Sequence, residues 1–125
     1  MKLRWLNQPF TVAKTAELPA FPAGGELVCL ARTNEEISLV CETRFCPPDC
    51  QSRKDGWRAF CIEGVLDFSL VGILSRISSS LSEAGIPIFA VSTFNTDYVL
   101  IQEKFMNAAR ISLEQTGFAF NDDCP

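Results

Sequence analysis

The chain contains no histidine among its 125 residues. Histidine is the side chain whose ordinary pKa lies near neutrality. Its absence removes Ser–His and Cys–His nucleophile pairs, and with them the commonest general base. Ser92 therefore has no imidazole to activate it, and no G-x-S-x-G turn occurs. No phosphate-cradling P-loop and no G-x-G-x-x-G run is present. Asp67 and Asp97 could serve a carboxylate catalyst, but nothing else singles them out for one. The sequence is read as that of a protein that is not an enzyme and carries no cofactor.

Charge is also sparse. Charged residues make up 21% and the net charge is -4. A mildly acidic chain lacks the basic field that nucleic acid or an anionic lipid surface requires. No apolar run approaches the roughly 20 residues of a membrane span. The most apolar stretch, Val65–Leu74, is interrupted by Asp67, Ser69 and Gly72. Met1–Phe10 carries Lys2 and Arg4, but then alternates and reaches Asn7, Gln8 and Pro9, which is not the unbroken apolar core of a signal peptide. The expected address is cytoplasmic, with neither nucleic acid nor membrane as partner.

Cysteine, by contrast, is plentiful: Cys29, Cys41, Cys46, Cys50, Cys61 and Cys124. In a short secreted chain six cysteines would suggest a disulfide framework. Here 47% of the residues are hydrophobic, enough for a core without staples, so reduced thiols are expected. Cys29, Cys41 and Cys61 fall in apolar runs and read as small buried hydrophobes. Cys41, Cys46, Cys50 and Cys61 contain no C-x-x-C pair, and their spacing is irregular for a zinc site, so no metal is assigned. A Cys46–Cys50 redox pair is a minor alternative.

The back half shows the stronger periodicity. Gly56 reads as a breaker and Trp57–Glu63 as a strand of aromatic and β-branched residues, closed by Gly64. Asp67 suits a helix N-cap. From Phe68 to Ala84, apolar residues recur at Leu70, Ile73, Leu74, Ile77 and Leu81, the spacing of one helical face. Gly85 stands where a C-cap glycine belongs. Ile86–Phe94 and Tyr98–Gln102 read as a hairpin about Asn95, Thr96 and Asp97. Glu103–Gln115 reads as a second helix with Phe105, Met106, Ala109 and Leu113 inward, and Phe118–Phe120 as a last short strand. The order is β-α-β-β-α-β, the ferredoxin-like arrangement.

In the front half, Phe10–Ala16, Leu27–Arg32 and Ile37–Glu42 read as strands, the last two forming a hairpin. Pro19, Pro22, Gly24 and Gly25 oppose a long helix between the first two. Cys46–Lys54 is polar, holds two prolines, and reads as a linker or exposed loop. The expected organisation is a partial, helix-poor unit over 1–55, its Cys/Pro loop at 46–54, and a complete α+β unit over 56–125.

Two segments resemble a known family. One is Gly56-Trp57-Arg58-Ala59-Phe60 followed by Gly64-Val65-Leu66-Asp67-Phe68-Ser69-Leu70-Val71-Gly72-Ile73-Leu74. The other runs from Ala84-Gly85-Ile86-Pro87-Ile88-Phe89 through Ser92-Thr93-Phe94-Asn95-Thr96-Asp97-Tyr98 to Leu100. Together they resemble short, mostly bacterial tandem ACT-domain proteins, the regulatory ACT modules of aspartate kinases and cytosolic arginine sensors. Thr33, Glu35, Glu36 and Ser38–Cys41 resemble the same family's front half more faintly. The resemblance implies a ferredoxin-like ACT domain in the back half. It also implies a shortened ACT-like front half sharing or extending the same sheet.

The resemblance further implies a small-molecule ligand, commonly an amino acid, at the loop between first strand and first helix. Val65, Leu66, Asp67, Phe68 and Gly72 are its candidates, because a helix start offers free N–H groups to a carboxylate. The run Ser92, Thr93, Phe94, Asn95, Thr96 and Asp97 forms the second candidate stretch. Their hydroxyls and amide suit an α-amino or carboxylate group and Asp97 an ammonium or guanidinium, although Asn95 and Asp97 serve equally well as turn residues. The expected function is a regulatory module acting through oligomer or partner changes, as a homodimer or higher oligomer. The alternatives are an interaction module without ligand and, less favoured, a cysteine-based redox or metal protein.

Overall fold

The apolar stripe of the back half becomes helix α1, Ile73–Glu83, in the computed structural model, which describes residues 1–64 and 72–121. Ile77 and Leu81 are fully buried on its inner face. The helix starts later than the periodicity predicts. Its N-cap is Gly72 at φ 83°, a left-handed conformation that a helix cannot propagate through. Asp67, expected as the N-cap, lies outside the described residues, as do Val65, Leu66 and Phe68.

Both helices end alike. Beyond α1, the Gly85 N–H donates to the Ser82 carbonyl at 3.0 Å and the Ile86 N–H to Leu81 at 2.9 Å. Beyond α2, Met106–Gln115, Gly117 donates to Glu114 and Phe118 to Leu113, each at 3.1 Å. This is the Schellman pattern, and it requires the positive φ that Gly85 (75°) and Gly117 (104°) adopt. In each case the residue after the glycine, Ile86 or Phe118, enters the core beside the helix it has just left.

Among the described residues eight strands are formed: β1 Lys2–Trp5, β2 Phe10–Thr15, β3 Cys29–Arg32, β4 Ile37–Glu42, β5 Ser52–Ile62, β6 Phe89–Ser92, β7 Asp97–Gln102 and β8 Ala119–Phe120. Single 3₁₀ turns, Thr43–Phe45 and Glu103–Phe105, follow β4 and β7. The chain divides into two compact units. One is Gln8–Trp57; the other joins Met1–Asn7 to the described residues from Arg58 on. Strand β5 contributes its first residues to the front unit and its last to the back unit.

The back unit is ferredoxin-like, running β5-α1-β6-β7-α2-β8, with neighbours β6-β7-β5-β1-β8. Strand β1, to which the sequence reading assigns no element, lies between β5 and β8. It is antiparallel to β5 (Leu3 opposite Ile62) and parallel to β8 (Leu3 opposite Phe120). Its Trp5 stacks on Phe120 at 5.3 Å between ring centroids and meets Phe60 edge-on at 5.3 Å. Such pairs contribute about 0.5–1.5 kcal/mol each beyond simple burial. Leu3, Phe60, Ile62, Val99, Ile101 and Leu113 build the core beneath the helices. Between α1 and α2 runs a cluster of hydroxyls: that of Ser80 lies 2.7 Å from that of Ser112 and 2.9 Å from that of Thr116.

The front unit runs β3-β4-β2-β5, matching β6-β7-β5-β1 of the back unit, with no α-helix among its described residues. The expected loop at 46–54 is shorter than predicted, because β5 begins at Ser52. Gly56 is not a breaker but part of β5. Phe10 pairs with Trp57 and Val12 with Lys54, so β5 carries one extra residue there. Gly56, at φ 83°, supplies the left-handed position of this bulge. Conversely, β6 is shorter than Ile86–Phe94, because Ile86 closes the helix cap and Pro87 brings no donor. The predicted start of the second helix, Glu103–Phe105, is a 3₁₀ turn.

Candidate functional site

The β6–β7 hairpin places the second candidate stretch. Ser92 pairs with Asp97 in register, so their side chains share one face of the sheet. At the apex the Thr93 N–H donates to the Thr96 carbonyl at 2.8 Å, and the Thr93 hydroxyl donates to the same oxygen at 3.0 Å. Phe94 and Asn95 are exposed there, Phe94 by 79%. Asp97 is half-buried. Ser92 and Asp97 are thus brought together; Thr93 is committed to the turn.

Thr96, inside that stretch, makes a bond that sequence reasoning does not foresee. It is buried, and its hydroxyl donates to the Ile62 carbonyl at 2.7 Å. That bond ties the hairpin apex to the end of β5, three residues before the first candidate loop begins at Val65. The only sequence signal is a second hydroxyl three positions after Thr93, which looks like any polar turn residue. Gly72, the one described member of the first stretch, is exposed, and its carbonyl accepts the Arg76 N–H at 2.9 Å as the opening bond of α1.

The front unit repeats this hairpin sixty positions earlier. Cys29–Arg32 and Ile37–Glu42 correspond to Phe89–Ser92 and Asp97–Gln102, and the 3₁₀ turns Thr43–Phe45 and Glu103–Phe105 correspond as well. The register is the same, Arg32 opposite Ile37 as Ser92 is opposite Asp97. Thr33 repeats Thr93, its N–H donating to the Glu36 carbonyl at 2.9 Å.

Two polar clusters hold the front unit. Buried Glu42 accepts the Glu26 N–H at 2.8 Å on one oxygen and the Arg44 guanidinium at 2.9 Å on the other. At the bulge, the Thr11 hydroxyl donates to Asp55 at 2.6 Å, and Arg53 donates to the same carboxylate at 2.9 and 3.1 Å. The hydroxyl first, then the guanidinium, lowers the Asp55 pKa. The thiols go the other way. Burial, with Cys46 and Glu42 beside it, pushes Cys41 up to about 11, and burial also raises Cys46. A thiol held protonated is a poor nucleophile. Among the described residues no group of three or more ligating side chains could hold a metal. No helix among them is long and apolar enough to cross a membrane.

The profile of the ACT domain matches residues 52–115. A structure of an Agobacterium tumefaciens protein is similar to the chain at 33% identity and TM-score 0.85, covering 96% of this chain and 91% of that one. Aspartate kinase from Synechocystis shares the fold at 11% identity and TM-score 0.70, covering 99% of this chain and 28% of the kinase. The ligand-free regulatory subunit of aspartate kinase from Thermus thermophilus does so at 10% identity and TM-score 0.59, covering 88% of this chain and 93% of that one. No curated protein matches the chain.

Proposed function

The chain belongs to the ACT domain family, whose members are regulatory rather than catalytic, and from that premise we propose that it binds an amino acid in the back unit. The site comprises Val65, Leu66, Asp67, Phe68 and Gly72 together with Ser92, Thr93, Phe94, Asn95 and Asp97. The observation that carries this reading is the Thr96–Ile62 bond, which holds the hairpin apex at the end of β5. Ser92, Asn95 and Asp97 there offer a hydroxyl, an amide and a carboxylate, a set suited to an α-amino or guanidinium group. The ligand acts by favouring one arrangement of ACT units, as a homodimer or higher oligomer, by no more than its differential affinity for that arrangement. A cytosolic setting suits the thiols Cys29, Cys41, Cys46 and Cys50, none of which is in a disulfide.

Thermal unfolding against the twenty amino acids and common nucleotides tests the reading. A ligand at 100 times its dissociation constant adds about 2.7 kcal/mol, a shift of several degrees. One ligand should stabilise the protein, and Asp97→Ala should abolish the shift while leaving the fold intact. A second reading draws on Phe94, 79% exposed at the hairpin apex: a protein-interaction module without ligand. Absence of any shift, together with an oligomer indifferent to all ligands, would favour it.

A further inference from the structure

In the back unit the chain passes from β5 toward α1 and from β7, through a 3₁₀ turn, into α2, and the two helices close on each other through Ser80, Ser112 and Thr116. The front unit repeats the strands and the 3₁₀ turn but replaces each helix with an irregular segment. After β2 comes Ala16–Pro22, with Pro19 and Pro22; after Thr43–Phe45 comes Cys46–Cys50, with Pro47 and Pro48. These prolines remove backbone donors and block helix growth. The two segments do not close as the helices do. A cleft of 670 Å³ lies between them.

That volume falls within the range of small-molecule sites. Leu18, Pro19, Phe45 and Pro47 are apolar residues of a lining that is otherwise polar, one acidic residue arrives from each segment, Glu17 and Asp49, and the Arg44 guanidinium stacks on the Phe45 ring at 4.8 Å. No lysine or arginine lines it. Neither carboxylate has a hydrogen-bond or ion-pair partner among the described residues, although Arg44 and Arg53 nearby in sequence are paired with Glu42 and Asp55. Two carboxylates supply too few oxygens for a calcium or magnesium ion, which takes six or more. A mixed lining with two acidic residues and an apolar strip at Leu18, Pro19 and Phe45 fits an organic cation whose hydrocarbon stem lies along that strip. We propose that this cleft is a second binding site, independent of the back-unit hairpin, for an alkylammonium or guanidinium compound with a short apolar stem.

Cys50 also lines the cleft and provides a local reporter. The full chain is alkylated with iodoacetamide, and Cys50 modification is followed by peptide mass spectrometry in the presence of 1,5-diaminopentane. At about ten times its dissociation constant the probe should slow Cys50 alkylation about tenfold, by mass action, and leave Cys29 unchanged. The uncharged pentane-1,5-diol should not protect. The double variant Glu17→Gln/Asp49→Asn, both exposed positions, should lose the protection while keeping its circular dichroism spectrum. Asp97→Ala should keep it, which separates this site from the back-unit reading. Equal protection by the diol, protection that survives in the double variant, or none up to about 10 mM diamine, weaker than any working small-molecule affinity, would overturn the proposal.

Discussion

Thr96 donates its hydroxyl to the carbonyl of Ile62 at 2.7 Å, so that the turn of one hairpin is fastened to the end of another strand by a single buried bond. Thr96→Val keeps the shape and removes the donor. Leaving a buried carbonyl short of a partner costs about 1–3 kcal/mol. Urea unfolding should show that loss, and Thr96→Ser should restore most of it. A valine variant as stable as the parent would mean that the apex is held by its own turn bonds.

Gly25 and Gly56 both have positive φ, at 97° and 83°, and the surroundings distinguish them. A Cβ on Gly56 meets nothing within 4 Å, so Gly56→Ala carries only the left-handed strain of about 1–2 kcal/mol. A Cβ on Gly25 lies 2.9 Å from Glu42 Oε2, and that oxygen is held in place by the Glu26 N–H. Gly25→Ala should therefore cost clearly more than Gly56→Ala in parallel urea titrations. Equal losses would show that the Glu42 carboxylate gives way freely.

Asp55 has its pKa lowered by Thr11 and Arg53, so in the relevant range the folded chain binds fewer protons there than the unfolded chain. The stability it contributes is fully present above about pH 4, the unfolded carboxylate value, and is lost as pH falls through its depressed folded value. Asp55→Asn should flatten the acid limb of stability against pH and leave its alkaline limb untouched.

Cys41 behaves in the opposite sense. Its thiol is raised to about 11, so the folded chain keeps a proton that the unfolded chain releases near its ordinary value. Stability should decline between roughly pH 9 and pH 11, and Cys41→Ala should remove that decline. In the native protein at neutral pH a thiol reagent should modify Cys50 well before Cys41, which reacts only on unfolding.

Much of this was legible in the sequence where side chains and backbone demand the same thing. Ile37–Glu42 reads as a strand and is one, and the core positions Ile77, Leu81, Ala109 and Leu113 follow from helical spacing alone. The glycines after both helices announce their caps. Sequence reasoning fails where tertiary pairing overrides local preference. Ser52–Asp55 are polar and exposed, yet they are strand because β2 offers them a ladder. Lys2–Trp5 is too short and too charged to declare itself, and it earns its place through Leu3 and Trp5 packing on residues far along the chain. Gly72 delays the start of α1 because its backbone is left-handed, a property the letter permits but does not announce. At the candidate site the residue types are visible in sequence, but the bond through Thr96 is not, since it joins residues with no local relation.

The parallel pairing of Lys2–Leu3 with Ala119–Phe120 has a kinetic consequence. The back unit's sheet is completed by segments from opposite ends of this sequence, so its contact order is high and the loop to be closed is long. The β3–β4 hairpin joins neighbours and can form as soon as they exist. Refolding should accordingly show the front unit's signals early, with burial of Trp5 against Phe120 among the last events. Until then Phe60 and Phe120 stand uncovered, and that interval is when the chain is most open to aggregation.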